Sequence, residues 1–112
     1  MLKQIDSNIQ QRLGLSAEQI ADFCQKWNII ELSLFGSVLS DQFRPDSDID
    51  ILINFASNAR QGLLTLAKLK HELENKIGRE VDVALKDSVE SSENWIRRND
   101  ILKTAQVIYE QR

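Results

Sequence analysis

The residue types best suited to chemistry fall in one stretch, FGSVLSDQFRPDSDIDILINF, from Phe35 to Phe55. Apolar segments bound its central loop, IELSLF before and DIDILINF after, and both read as strands. Strand side chains alternate, so Asp48 and Asp50 of the DID triplet share a face, with Cα atoms roughly 6.5 Å apart. Two ionised carboxylates that close repel each other, and a divalent cation relieves the repulsion most simply. Gly36 and Ser37 supply a turn where backbone approaches a phosphate with no Cβ in the way. The N–H groups of such a turn, opening a short helix, attract an anion. An anion cradle beside a carboxylate pair is a metal–nucleotide site.

The elements that must position these residues are legible on either side. Ile5, Ile9 and Leu13 repeat every four residues as a short amphipathic helix that Gly14 ends. Ser16 is a good N-cap with Gln19 three residues on, and Ile20, Phe23, Cys24 and Trp27 form a helical stripe. Asn28 closes that helix, Cys24 reads as a small buried core residue, and Ile29 to Phe35 reads as the first strand. After the second strand, SNARQG is a turn-like connection. Leu66, Leu69, Leu73 and Ile77 then continue a helical stripe from Leu63 to Gly78, with His71 off it on a solvated surface. GREVDVAL is the third strand, with Val81 and Val83 on one face and Glu80 and Asp82 on the other. Asp82 thereby becomes a third carboxylate for the pair.

Ser91 or Ser92 caps a last helix carrying Trp95, Ile96, Ile101, Leu102 and Ala105, whose Arg97-Arg98 pair reads as a solvated or partner-facing patch. Its end is open, because Ile108 and Tyr109 continue the helical stripe whereas VIY has strand propensity. Strands alternating with helices indicate an α/β (α+β) fold, a small mixed sheet covered by helices on one face. No composition shift marks a boundary, so residues 1–112 are expected to form a single domain.

Composition narrows the function further. The 42% hydrophobic and 28% charged fractions are ordinary for a soluble globular protein, and no apolar run approaches a membrane span. A lone cysteine fits a reducing, cytoplasmic setting. A net charge of −3 argues against phosphate-backbone binding as the main activity, so direct nucleic-acid and membrane partners are not expected. DSDID resembles the start of an EF-hand, but Ile51 and Ser57 stand where that loop needs Gly and Glu. No Lys-Ser or Lys-Thr follows the glycine, so a P-loop fails as well. One His and one Cys exclude the usual zinc site or a Cys/His nucleophile, and oxygen ligands point to Mg²⁺ or Mn²⁺.

Gly36-Ser37, ten residues, then Asp48-Ile49-Asp50 resembles the GSx10DxD signature of the polymerase-β-type nucleotidyltransferase superfamily, and in so short a chain the minimal nucleotidyltransferases. The resemblance runs from about Ile29 to Leu85, with VDV around Asp82 similar to the strand of the third carboxylate. It implies that Asp48 and Asp50 hold two Mg²⁺ ions and that Gly36 and Ser37 grip the phosphates of ATP. It also implies that Asp82 binds the metal near the attacking hydroxyl and helps deprotonate it, and that a short terminal strand follows a last helix ending near Thr104. Many members carry an Ala-Arg-Gly-like run after Gly-Ser where this chain has Leu39-Ser40-Asp41, which leaves Arg44 as the nearby basic substitute. The chain resembles the antitoxins that transfer AMP from ATP to a tyrosine of a cognate HEPN-domain RNase toxin, a hetero-oligomeric partner. Transfer to a small-molecule hydroxyl is the alternative activity, and non-catalytic masking of a partner is the alternative of another class.

Overall fold

The computed structural model describes residues 7–57 and 62–111. Helix α1 (Ser7–Leu13) stops at Gly14 as expected, while Ile5 lies outside the described residues. Helix α2 (Ala17–Lys26) opens on a capping box: Gln19 N donates to Ser16 Oγ, and Ser16 N donates to Gln19 Oε1. It buries Ile20, Phe23 and Cys24, and burial pushes the Cys24 thiol up to about 12, leaving it protonated and unreactive. Asn28 then takes the left-handed conformation, at φ 57°, and turns the chain into β1 (Ile29–Phe35).

A single 3₁₀ turn, Gly36–Leu39, and a polar loop lead from β1 to β2 (Ile49–Phe55). Much of the connection SNARQG lies outside the described residues. Helix α3 (Leu63–Ile77) crosses over so that β3 (Val81–Leu85) runs parallel to β2. Helices α4 (Lys86–Glu90) and α5 (Trp95–Thr104) precede β4 (Gln106–Glu110). The sheet order is β3-β2-β1-β4, with β1 antiparallel to both neighbours. The terminal strand thus settles VIY as β, and α5 ends at Thr104 as expected.

Alternation along β2 divides the molecule. Ile49, Ile51 and Ile53 face the main core with Leu13, Ile20, Phe23, Leu69 and Leu73, so α1, α2 and α3 cover that face. On the opposite face Phe35 and Leu52 meet Ile101 of α5 in a smaller cluster that Val89 of α4 joins. The helical cover expected on one face describes the main core, and α4 and α5 add partial cover to the other. A 2.7 Å ion pair between Lys86 and Glu31 ties the start of α4 to β1.

The start of α5 departs from expectation. Its cap is Asn94, whose Oδ1 accepts from Arg97 N, and neither Ser91 nor Ser92 caps it. Ser91 instead closes the unanticipated α4, its N–H donating to Asp87 O, while Ser92 Oγ accepts from Asn94 N. Of the apolar residues expected to seat α5, Trp95 and Ile96 face solvent and Ile101 turns inward.

The fold predicts a contrast along α3. Leu73→Ala should cost about 2–5 kcal/mol by urea unfolding, because Leu73 is buried in the main core. His71→Ala, on the exposed face, should change stability by no more than about 0.5 kcal/mol. Equal effects would contradict the seating of this helix.

Candidate active site

The site lies on the less covered face of the sheet, where the strands begin or end beside the Gly-Ser turn. Phe35 pairs with Asp50 across β1 and β2, and Asp50 pairs with Asp82 across β2 and β3. Paired residues on neighbouring strands point to the same face, so Phe35, Asp50 and Asp82 form one row. Asp48 sits one residue before β2 and is exposed. The strand starts at Ile49 because Ile49 N is the first amide to bond across to β3, donating to Glu80 O.

The 3₁₀ turn packs against this row. Gly36 has φ 78°, and a Cβ at that position would collide with Asp50 Oδ2. Glycine here therefore lets the backbone lie directly on the carboxylate. Ser37 does not cap the turn: Phe35 holds the cap position, and Ser37 is engaged through its carbonyl, which accepts from Ser40 N and Ser40 Oγ. No hydrogen bond from the Ser37 hydroxyl to a described residue is present, leaving it available to a ligand.

Arginines fix the turn and the following loop. Arg12 donates to Val38 O and Ser40 O at 2.9 and 2.7 Å. Arg79 donates to Arg44 O and Ser47 O, and both guanidiniums lie over the Phe43 ring, 5.5 and 4.5 Å from its centre. Arg44 is exposed on this loop, and its backbone rather than its guanidinium makes the contacts.

An open cleft of about 760 Å³ gathers Gly36, Ser37, Ser40, Asp50, Arg97 and Asp100. Its volume lies within the range typical of small-ligand sites. Of the expected site residues, the cleft brings together Gly36, Ser37 and Asp50, with Asp82 and Asp48 flanking Asp50 and Arg44 outside the lining. Arg97 is the functional candidate that sequence reading missed. The pair Arg97-Arg98 reads as a surface patch until the orientation of α5 is known.

Burial pushes the Asp50 carboxyl above its usual range, the charges of Asp82 and Asp48 push it further, and Arg97 partly offsets them. This partly compensated charge and the all-oxygen donors suit a hard divalent cation. Among the described residues, no three acidic, His or Cys side chains converge closely enough to enclose an ion, so the trio is an open cluster of like charges.

A raised pKa means that the folded chain holds the Asp50 proton more tightly than the unfolded chain does. Ionised Asp50 therefore weakens the metal-free fold at pH 7, and the penalty vanishes as pH falls through its raised value towards the ordinary 3.8. Asp50→Asn should raise metal-free stability at pH 7 and lose that advantage near pH 4, as read by urea midpoints; no gain at pH 7 would contradict the charge cluster. Gly36→Ala should destabilise by more than the left-handed penalty of about 1–2 kcal/mol. Adding Asp50→Ala should recover the excess, and a fully additive pair would show that the turn and carboxylate are not in contact.

Comparison with known proteins identifies the family. The nucleotidyltransferase domain family matches residues 17–108. A candidate protein adenylyltransferase of Methanocaldococcus jannaschii is 41% identical over 64 residues, 57% of this chain and 67% of the relative. The protein adenylyltransferase MntA of Thermococcus cleftensis is 33% identical over 67 residues, 60% of this chain and 66% of the relative. Among solved structures, a candidate minimal nucleotidyltransferase superposes with a TM-score of 0.64 at 27% identity, covering 93% of this chain and 97% of its own. A toxin–antitoxin complex with AMP-PNP gives a TM-score of 0.67 at 17% identity, covering 88% of this chain and 76% of the other. A tri-AMPylated Shewanella oneidensis HEPN toxin in complex with its MNT antitoxin gives 0.60 at 16%, covering 92% and 73%. The last two likenesses concern the fold alone. With the family match spanning most of its length and the carboxylate row set against a Gly-Ser turn, this chain belongs to the nucleotidyltransferase domain family.

Proposed function

We propose that the protein is an antitoxin adenylyltransferase that transfers AMP from ATP to a tyrosine hydroxyl of a cognate HEPN RNase toxin. The observation that carries this reading is the contact of the Gly36 turn with Asp50 in a cleft of nucleotide size, with Asp82 in register beside it. The relatives named as protein adenylyltransferases support the reaction class, and the AMP-PNP and AMPylated-toxin complexes share the fold.

The chain's own residues divide the work. The backbone amides of the turn and the Ser37 hydroxyl hold nucleotide phosphate, and the cleft orients the α-phosphorus towards the carboxylate row. Asp48, Asp50 and Asp82 would hold Mg²⁺ or Mn²⁺, which supplies charge neutralisation at the phosphates when bound. A tyrosine hydroxyl has a pKa near about 10 and needs a base at neutral pH. Asp82, exposed at the edge of the row, accepts that proton. The phenolic oxygen bonds to the α-phosphorus, the bond to the bridging oxygen breaks, and pyrophosphate leaves. The new phosphate on the toxin repels an RNA backbone, so inactivation outlasts dissociation of the pair. The chain's net charge of −3 also suits docking to a basic RNA-binding surface.

The test is intact-mass spectrometry of the toxin after co-expression with this chain or its Asp48→Ala form. AMP-sized increments should appear only with the unaltered chain. Neutralisation by both forms without added mass would overturn the enzymatic reading in favour of masking.

A further inference from the structure

The cleft contains a problem of charge. Asp50 and Asp100 both line it, and a triphosphate would add several negative charges more. Leu39, Ser40 and Asp41 put no cation after the Gly-Ser turn. The nearby arginines are otherwise engaged: Arg12 holds Val38 O and Ser40 O, and Arg79 holds Arg44 O and Ser47 O. Arg44 projects from an exposed loop outside the cleft lining.

We infer that Arg97, on the α5 wall of the cleft, binds the β- and γ-phosphates of the nucleotide whose remaining phosphate contacts come from Gly36 and Ser37. Arg97 is the cation among the residues lining this cleft. Its backbone is fixed, because its amide donates to the Asn94 cap, and Ile101 one turn on is anchored against Phe35 and Leu52. Its guanidinium acts on Asp50 through its charge but makes no ion pair or side-chain hydrogen bond with a described residue, which leaves its donors open to a ligand. The planar fork of a guanidinium matches two phosphate oxygens at once, which an ammonium does not. Release of pyrophosphate places new charge on the phosphates that Arg97 holds, so the contact strengthens as the bond breaks. A basic residue supplied from the helix that precedes β4 thus takes the place of one in the turn.

This inference rests on the nucleotide reading above, and calorimetry separates the two. Wild-type protein, Arg97→Ala and Arg97→Lys are titrated in Mg²⁺ with an α,β-methylene ATP analogue and with AMP. Arg97→Ala should weaken the analogue by about 10- to 100-fold and AMP by less than about twofold, with Arg97→Lys intermediate. Unchanged affinity for the analogue would overturn the inference, as would an equal loss for AMP, which indicates a disturbed cleft. Failure of the wild-type chain to bind either nucleotide would remove the adenylyltransferase reading along with it. Thermal melting of Arg97→Ala should stay close to wild type, since the side chain is exposed and offsets only part of the charge at Asp50.

Discussion

The approach of the Gly36 backbone to the Asp50 carboxylate is the constraint on which the site depends. A side chain at position 36 would fall on Asp50 Oδ2, and the left-handed φ there disfavours any residue but glycine. The turn therefore lies against a carboxylate that is already partly buried and beside two others. Groups that would bind a phosphate and groups that would bind a cation end up in contact before either ligand arrives. Such preorganisation removes from the binding step the cost of assembling the site.

The rest of the fold holds that contact in place. The antiparallel register of β1 and β2 sets Phe35 opposite Asp50, and the parallel register of β3 adds Asp82 to the row. Helix α1 reaches across with Arg12 to the carbonyls of the turn, and Arg79, just before β3, reaches the loop between the turn and β2. The Phe43 ring meets both guanidiniums and so ties the loop to α1 and to the segment before β3. The deep apolar face of the sheet supplies the stability that this polar edge lacks.

Much of this was legible in the sequence because its signals are local. The Ser16-Gln19 capping box, the leucine stripe of α3 and Ile29–Phe35 each follow from periodicity and caps within a few residues. Gly36, Ser37 and Asp50, singled out by the same local spacing, line one cleft, with Asp48 just outside it. The place of Arg97 in the cleft was hidden because it depends on how α5 lies on the sheet, where Ile101 packs on Phe35 and Leu52 from distant parts of the chain. The false start at Ser91 and Ser92 has a similar cause. Several cap-competent residues stand in a row, and tertiary packing chooses Asn94 among them. The terminal VIY segment was ambiguous until β1 offered it an edge to pair with.

Division of the sheet into a sealed face and an open one also explains why charge is tolerated here. The residues of β2 that point to the main core, Ile49, Ile51, Ile53 and Phe55, are all apolar, and an acid on that side would lose water with nothing to replace it. On the other side α5 covers Phe35 and Leu52 but stops short of closing over Asp50, while Asp48 and Asp82 remain exposed. Asp48 and Asp82 thus keep their contact with water, while burial and the neighbouring acids push the Asp50 carboxyl above its usual range. That residual strain sets the direction of coupling. Any ligand that neutralises the cluster binds the folded chain in preference to the unfolded one and stabilises it by mass action. The less covered face is therefore also the one where a ligand that neutralised Asp50 would add stability.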